Sequence, residues 1–226
     1  MAAARPSWSE AAFRAAWLRT AGYKTPTGSR LWKKISACYS RKTIREIMLH
    51  LAYHEAGHLA FWAFWHRDLS EVRYVTIYPN TKRASHLACP SPYLALPRHR
   101  GLAVASVAYL LAGSAAEARL WPEDDPWEFF DLDDEEWHES DVYRAHLVAR
   151  MQARSYLPAA RILRIAHGWA QEALKVPATW AAIEKIVGLL LKQGRIGCRQ
   201  LVAIPELQVL EELCLVIWCR RFDRRD

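Results

Sequence analysis

Residues 43–65 read TIREIMLHLAYHEAGHLAFWAFW, and this stretch decides the fold. Ile44, Met48, Leu51, His58, Trp62 and Trp65 recur at spacings of three, four or seven, which predicts one long helix with an apolar face. Inside it lies His54-Glu55-Ala56-Gly57-His58. Positions i and i+4 of a helix stack on one face, so both imidazoles can reach one ion. Two histidine nitrogens with an open position suit catalytic Zn2+. Glu55 lies close to that face and can act as general base on a zinc-activated water. The same five letters also arise by chance on amphipathic helices, but here they fall in the helical context the chemistry requires. Gly57 costs a helix about 1 kcal/mol relative to alanine, so a close neighbour is expected against Ala56 and Gly57.

Working outward, 72–78 (VRYVTIY) is β-branched and aromatic and ends at Pro79-Asn80, so a strand is expected there. A second, shorter strand is expected over 85–89. Helices are expected over 102–120, 140–154, 158–176, 177–193 and 205–222, with Gly194 ending the fourth. Ser140 reads as an N-cap with Asp141 in the first turn. Upstream, Ser7-Trp8-Ser9-Glu10 is a capping box that opens a helix over 7–21, and the turn-rich stretch 23–30 follows. The expected fold is mainly α with a small two- to three-stranded β element. Residues 1–40 would form a basic arm with one helix, and 41–226 a metallopeptidase domain.

The 226 residues are 52% hydrophobic and 24% charged, a globular balance that excludes a disordered chain. The net charge of +7 is uneven. Residues 1–50 carry ten Lys or Arg against Glu10 and Glu46, whereas 123–141 carry eleven acids and no Lys or Arg. Two solvated faces of opposite sign explain this; contact of the basic arm with nucleic acid or anionic lipid is the alternative. Cys38, Cys89, Cys198, Cys214 and Cys219 form no CxxC pair, which argues against a disulfide framework and a cysteine zinc knuckle. A reducing compartment fits, and a cytoplasmic location is expected. The Arg-rich, acid-poor first twenty residues also suit an organellar transit peptide. No apolar run reaches the roughly 18 residues of a membrane-spanning helix.

A zinc site needs a third protein group, and spacing leaves two carboxylates open, Glu117 and Asp141. Asp141 at a helix start also has a purely local role available, because the dipole favours a carboxylate there. His86, His138, His146 and His167 read as ordinary surface or core histidines, and the Trp62 and Trp65 pair as core. Cys89 reads as an inert thiol unless exposed.

Several ordered stretches over 44–204 together resemble the peptidase domain of the FtsH-type, ATP-dependent zinc proteases. They are Ala52-Tyr53-His54-Glu55-Ala56-Gly57-His58, Val75-Thr76-Ile77-Tyr78-Pro79, Leu111-Ala112-Gly113-Ser114-Ala115-Ala116-Glu117, Ser140-Asp141-Val142, and 180–201. The resemblance implies that family's helical peptidase fold, zinc held by His54, His58 and Asp141, and Glu55 as general base. It implies Glu117 as the group orienting a ligand histidine. An extended polypeptide substrate would add as a strand beside Ser85, His86, Leu87, Ala88 and Cys89. Ser114 replaces the second glycine of the family's Gly-Gly pair, and the acidic segment before Asp141 is longer. The phosphate-loop pattern G-x-x-x-x-G-K-[ST] is absent, so hydrolysis is expected without ATP, with a separate ATPase or a homo-oligomer as the partners to look for. Nucleic acid is not expected as a partner. Two other readings compete: a peptidase-derived binding or regulatory module with little turnover, and a nucleic-acid-associated protein using the basic arm.

Overall fold

Thr43 and Glu46 open the first helix by exchanging hydrogen bonds. The Thr43 N–H donates to Glu46 Oε2 at 2.6 Å, and the Glu46 N–H to Thr43 Oγ1 at 3.3 Å. This reciprocal cap satisfies two amides that the helix start leaves over. The computed structural model describes residues 42–66, 68–78, 86–88, 100–121, 141–153 and 158–210. The arm over 1–40, its capping box, the acidic run over 123–140 and the chain beyond 210 lie outside the described residues.

Helix α1 (Ile44–His66) is buried on nearly all sides; Ala52, Ala56, Leu59, Ala60 and Ala63 are fully enclosed. Such a helix is central, and three other helices, two strands and a 3-10 turn pack on it. Helix α2 (Arg100–Leu120) crosses it closely. A Cβ added at Gly57 would stand 2.6 Å from the Ala112 carbonyl oxygen and 2.8 Å from the Ala116 Cβ. The glycine in the His-Glu-His stretch therefore lets two backbones meet.

Helix α3 (Asp141–Gln152) packs Ala145, Val148 and Ala149 toward α2. Helix α4 (Ala159–Lys175) is strongly one-sided, burying Ile162, Leu163, Ala166, Ala170 and Leu174. Helix α5 (Pro177–Gln193) buries Ile183, Ile186, Val187 and Leu190 and packs on α1. Pro177 suits the first turn, where no amide bond is lost, and Gly194 ends the helix at φ 72°, a left-handed conformation that favours glycine. The ring of Tyr78 lies directly against the Gly194 Cα, so a side chain there would also collide.

The sheet is antiparallel in the order β2–β1–β3, with β1 (Tyr74–Thr76), β2 (His86–Ala88) and β3 (Arg195–Gly197). Val75 pairs with Leu87 on one side and Ile196 on the other, and all three are buried as one cross-strand row. A short helix, α6 (Cys198–Leu201), follows, and 205–210 is helical. The described residues are thus mainly helical with one small three-stranded sheet, as the sequence suggests.

Several boundaries differ from expectation. The strand expected over 72–78 is shorter because Val72 still belongs to a 3-10 turn (Leu69–Glu71), donating its N–H to the Leu69 carbonyl. Single bonds from Arg73 N–H to Ala88 O and from Ile77 N–H to Gly194 O continue the ladder one residue beyond each end. The helix expected over 140–154 is described as Asp141–Gln152, and that over 102–120 begins at Arg100. Strand β3 falls between the helices expected over 177–193 and 205–222, where no strand was expected.

Candidate metal centre

His54 and His58 point from one face of α1 toward the start of α3. The nitrogen His54 Nε2 lies 3.0 Å from His58 Nε2. Asp141 Oδ2 stands 3.2 Å from the first and 3.1 Å from the second. Three donor atoms from two helices thus form a nearly equilateral triangle, the one His/Cys/Asp/Glu group of metal-binding geometry among the described residues.

The partners of the other ring nitrogens set the tautomers. His58 Nδ1 is 2.8 Å from the Tyr109 carbonyl, which only accepts, so this nitrogen donates and Nε2 carries the lone pair. His54 Nδ1 donates to Glu117 Oε2 at 3.1 Å in the same way. Both outward nitrogens are orientated by an acceptor behind them, the arrangement that fixes ligating histidines. Asp141 is held twice. Its carboxylate sits at the N-terminus of α3, where the helix dipole favours it, and Arg144 Nη1 donates to Oδ1 at 3.3 Å. That leaves Oδ2 toward the histidines.

A tetrahedral site with bonds of about 2.0–2.2 Å has ligand–ligand edges of about 3.3–3.6 Å. The observed edges are shorter by a few tenths of an ångström, so the donor set fits a small divalent cation after minor expansion. Two imidazoles and a carboxylate suit a divalent transition metal, zinc and Fe(II) among them.

Gly113 makes the convergence possible. A Cβ there would lie 2.6 Å from His58 Nε2 and 2.9 Å from His54 Nε2. No other residue type leaves this space at the α1–α2 crossing.

The titration of the group follows from its crowding of acids and bases. At Glu117 burial works to raise the pKa, but His54 and His50 outweigh it and hold the carboxyl down at about 2. At Asp141 burial again opposes ionisation, yet hydrogen bonds from His54 and His58 keep it well below the usual carboxylate range. At His54 burial disfavours the cation, but Glu117, Asp141 and Glu55 together raise its pKa well above 6.5. A proton and a metal ion therefore compete for the same nitrogen.

Glu55 is buried on α1, next in sequence to His54, and its charge acts on that ring. Glu117 meets His54, while His58 relies on the Tyr109 backbone, an acceptor that sequence reasoning missed. In the strand expected to receive substrate, Leu87 is buried, Ala88 is half-buried, and Ser85 and Cys89 lie outside the described residues, as does the side chain of His86. Strand β2 packs against α1 and forms one edge of the sheet among the described residues. His50, one turn before His54, was also missed, although His50, His54 and His58 stand at i, i+4 and i+8. Trp62 is core, and Trp65 is partly buried with its ring 5.9 Å from that of Trp169. No helix among the described residues is long and apolar enough to cross a membrane. Compared with known proteins, the chain matches no family model and no curated protein.

Proposed function

We propose that this protein is a zinc-dependent endopeptidase of FtsH-like peptidase architecture that works without ATP. The observation that carries the reading is the triangle of His54 Nε2, His58 Nε2 and Asp141 Oδ2, with Glu55 beside it on the same helix. When bound, zinc supplies a Lewis acid and brings the pKa of water to about 7. His54, His58 and Asp141 would hold the ion, with the Tyr109 carbonyl and Glu117 keeping the two rings in their donor orientation. Glu55 would take the proton of the attacking water and return it to the departing amine, the usual part of the glutamate between two such histidines. Glu55 is buried at the same helix face, so its carboxylate is kept out of bulk water next to the donor atoms. An extended polypeptide would lie along the edge of β2, adding a strand to the sheet and running past the His54–His58 face of α1.

The test combines elemental analysis of the purified full chain with digestion of casein in the absence of nucleotide. The expected result is about one zinc per chain, as a single donor set of this kind holds, with digestion removed by chelation and restored by zinc. Glu55→Gln should retain the metal while hydrolysis falls about a hundredfold or more. A chain that takes up no zinc removes the site, and unchanged digestion by Glu55→Gln removes the residue from the mechanism. Digestion that appears only when ATP is added would contradict the ATP-independent part of the reading.

A further inference from the structure

Behind the donor triangle lies a polar chain that the peptidase reading does not use. Lys42 Nζ is 2.6 Å from His50 Nε2. An ammonium only donates, so His50 accepts there and its proton resides on Nδ1. That N–H faces Glu117 Oε1 at 3.8 Å, a contact of dipole and charge, longer than a hydrogen bond. The other oxygen of the same carboxylate, Oε2, takes His54 Nδ1 at 3.1 Å. One carboxylate is therefore addressed from two successive turns of α1, once on each oxygen.

The His50 ring is clamped. It is buried, at 3% exposure, and stacks on Trp121 with centroids 3.7 Å apart and planes 18° from parallel. Trp121 follows directly on α2, its N–H donating to the Glu117 carbonyl at 2.9 Å, so the clamp and the carboxylate share one backbone turn. Lys42 lies 5.8 Å from the centroid of the same indole. The stack fixes the plane of the ring, and the Lys42 contact at Nε2 selects the flip that turns Nδ1 toward Glu117.

We infer that His50 is a positioning residue for the metal centre: held by Trp121 and Lys42, it fixes the plane of Glu117 so that the carboxylate keeps His54 Nε2 aimed at the cation. The inference rests on the metal-site reading above and adds to it the pair of groups that orient the orienting carboxylate. With the Nδ1–H gone, Glu117 gains a rotation about its last side-chain bond, and His54 loses a defined acceptor.

Metal affinity of the full chain tests this, read by the cobalt(II) absorption spectrum and by zinc competition against it. His50→Phe keeps a flat ring on Trp121 and removes both nitrogens. His50→Asn removes the ring but places an amide N–H close to the Nδ1 position. His50→Phe should weaken cobalt and zinc about tenfold, the low end of the range for groups behind a ligand, with an altered cobalt spectrum. His50→Asn should recover most of that loss. Should His50→Phe fail to fold, His50→Gln, whose amide falls near Nε2, should show the same loss. Wild-type affinity and spectrum in His50→Phe or His50→Gln overturn the inference. So does loss in His50→Asn with none in His50→Phe, which assigns the residue to packing alone. If the unaltered chain binds neither cobalt nor zinc, the metal centre itself fails and this inference fails with it.

Discussion

The α1–α2 crossing and the C-terminal helices α4 and α5 are both core, but they are built on opposite principles. At the crossing, Gly57, Ala112, Gly113 and Ala116 are small, and their lack of bulk brings two backbones and two histidines together. In α4 and α5, Ile162, Leu163, Leu174, Ile183, Ile186 and Leu190 fill space with branched side chains on one face. The first region is specified by what is missing and holds buried polar groups that must satisfy one another. The second is specified by bulk and holds almost none; Thr179 is the buried polar residue on α5. Precision of donor placement and gross stability are therefore assigned to different parts of the molecule.

Metal binding would read that division directly, and five substitutions or conditions should affect it to decreasing extents. Gly113→Ala places a methyl carbon 2.6 Å from His58 Nε2, so zinc uptake should vanish while the helical circular dichroism stays near that of the unaltered chain. Full zinc occupancy in that variant would show that the crossing is looser than its contacts state. Asp141→Ala should come next, releasing zinc to a mild chelator because one donor of three is gone, and Glu117→Gln should weaken binding less, about 10–100-fold. If the order of those two is inverted, Glu117 and not Asp141 completes the donor set.

The pH response should be milder. His54 has a raised pKa in the fold, so metal affinity should fall as pH drops through that value and level off above it. The same group acts in the reverse sense on the metal-free protein. Its contribution to stability is fully present below 6.5 and is lost as pH rises through the raised pKa, whereas the lowered pKa values of Glu117 and Asp141 contribute above the ordinary carboxylate range. Metal-free protein should therefore melt at a lower temperature when moved from pH 6 to alkaline buffer, and a flat or rising profile in calorimetry would contradict the assigned His54 environment. Smallest at the metal should be Leu190→Ala. This fully buried side chain lies away from the donors, so unfolding stability should drop by about 2–5 kcal/mol with the zinc stoichiometry of the folded fraction unchanged.

The legible parts of the molecule were those that local chemistry decides. Helix α5 could be bounded from Pro177 and Gly194 because a proline start and a glycine stop act within one turn. The long helix α1 was legible from periodicity, and the meeting of His54 and His58 follows from i, i+4 spacing alone. The convergence of Asp141 on them was suggested by resemblance, since spacing left Glu117 equally open. Strand β3 was not legible: Arg195–Gly197 is three residues with no alternation to detect, and it is a strand only because β1 pairs with it. The Tyr109 carbonyl was beyond any sequence reading, because every residue but its geometry offers the same backbone acceptor. His50 was within reach, one turn ahead of the motif, but its meaning depends on Trp121 and Glu117, which arrive from α2 and its end.

His54 and Asp141 stand 87 positions apart in the chain, and their side chains meet at 3.2 Å. A cation held between them would be a clasp between distant segments, closed only in the native state. By linked equilibria, a ligand at a hundred times its dissociation constant stabilises such a state by about 2.7 kcal/mol. The concentration of the free cation around the protein would then set the fraction of chains in which α3 stays docked.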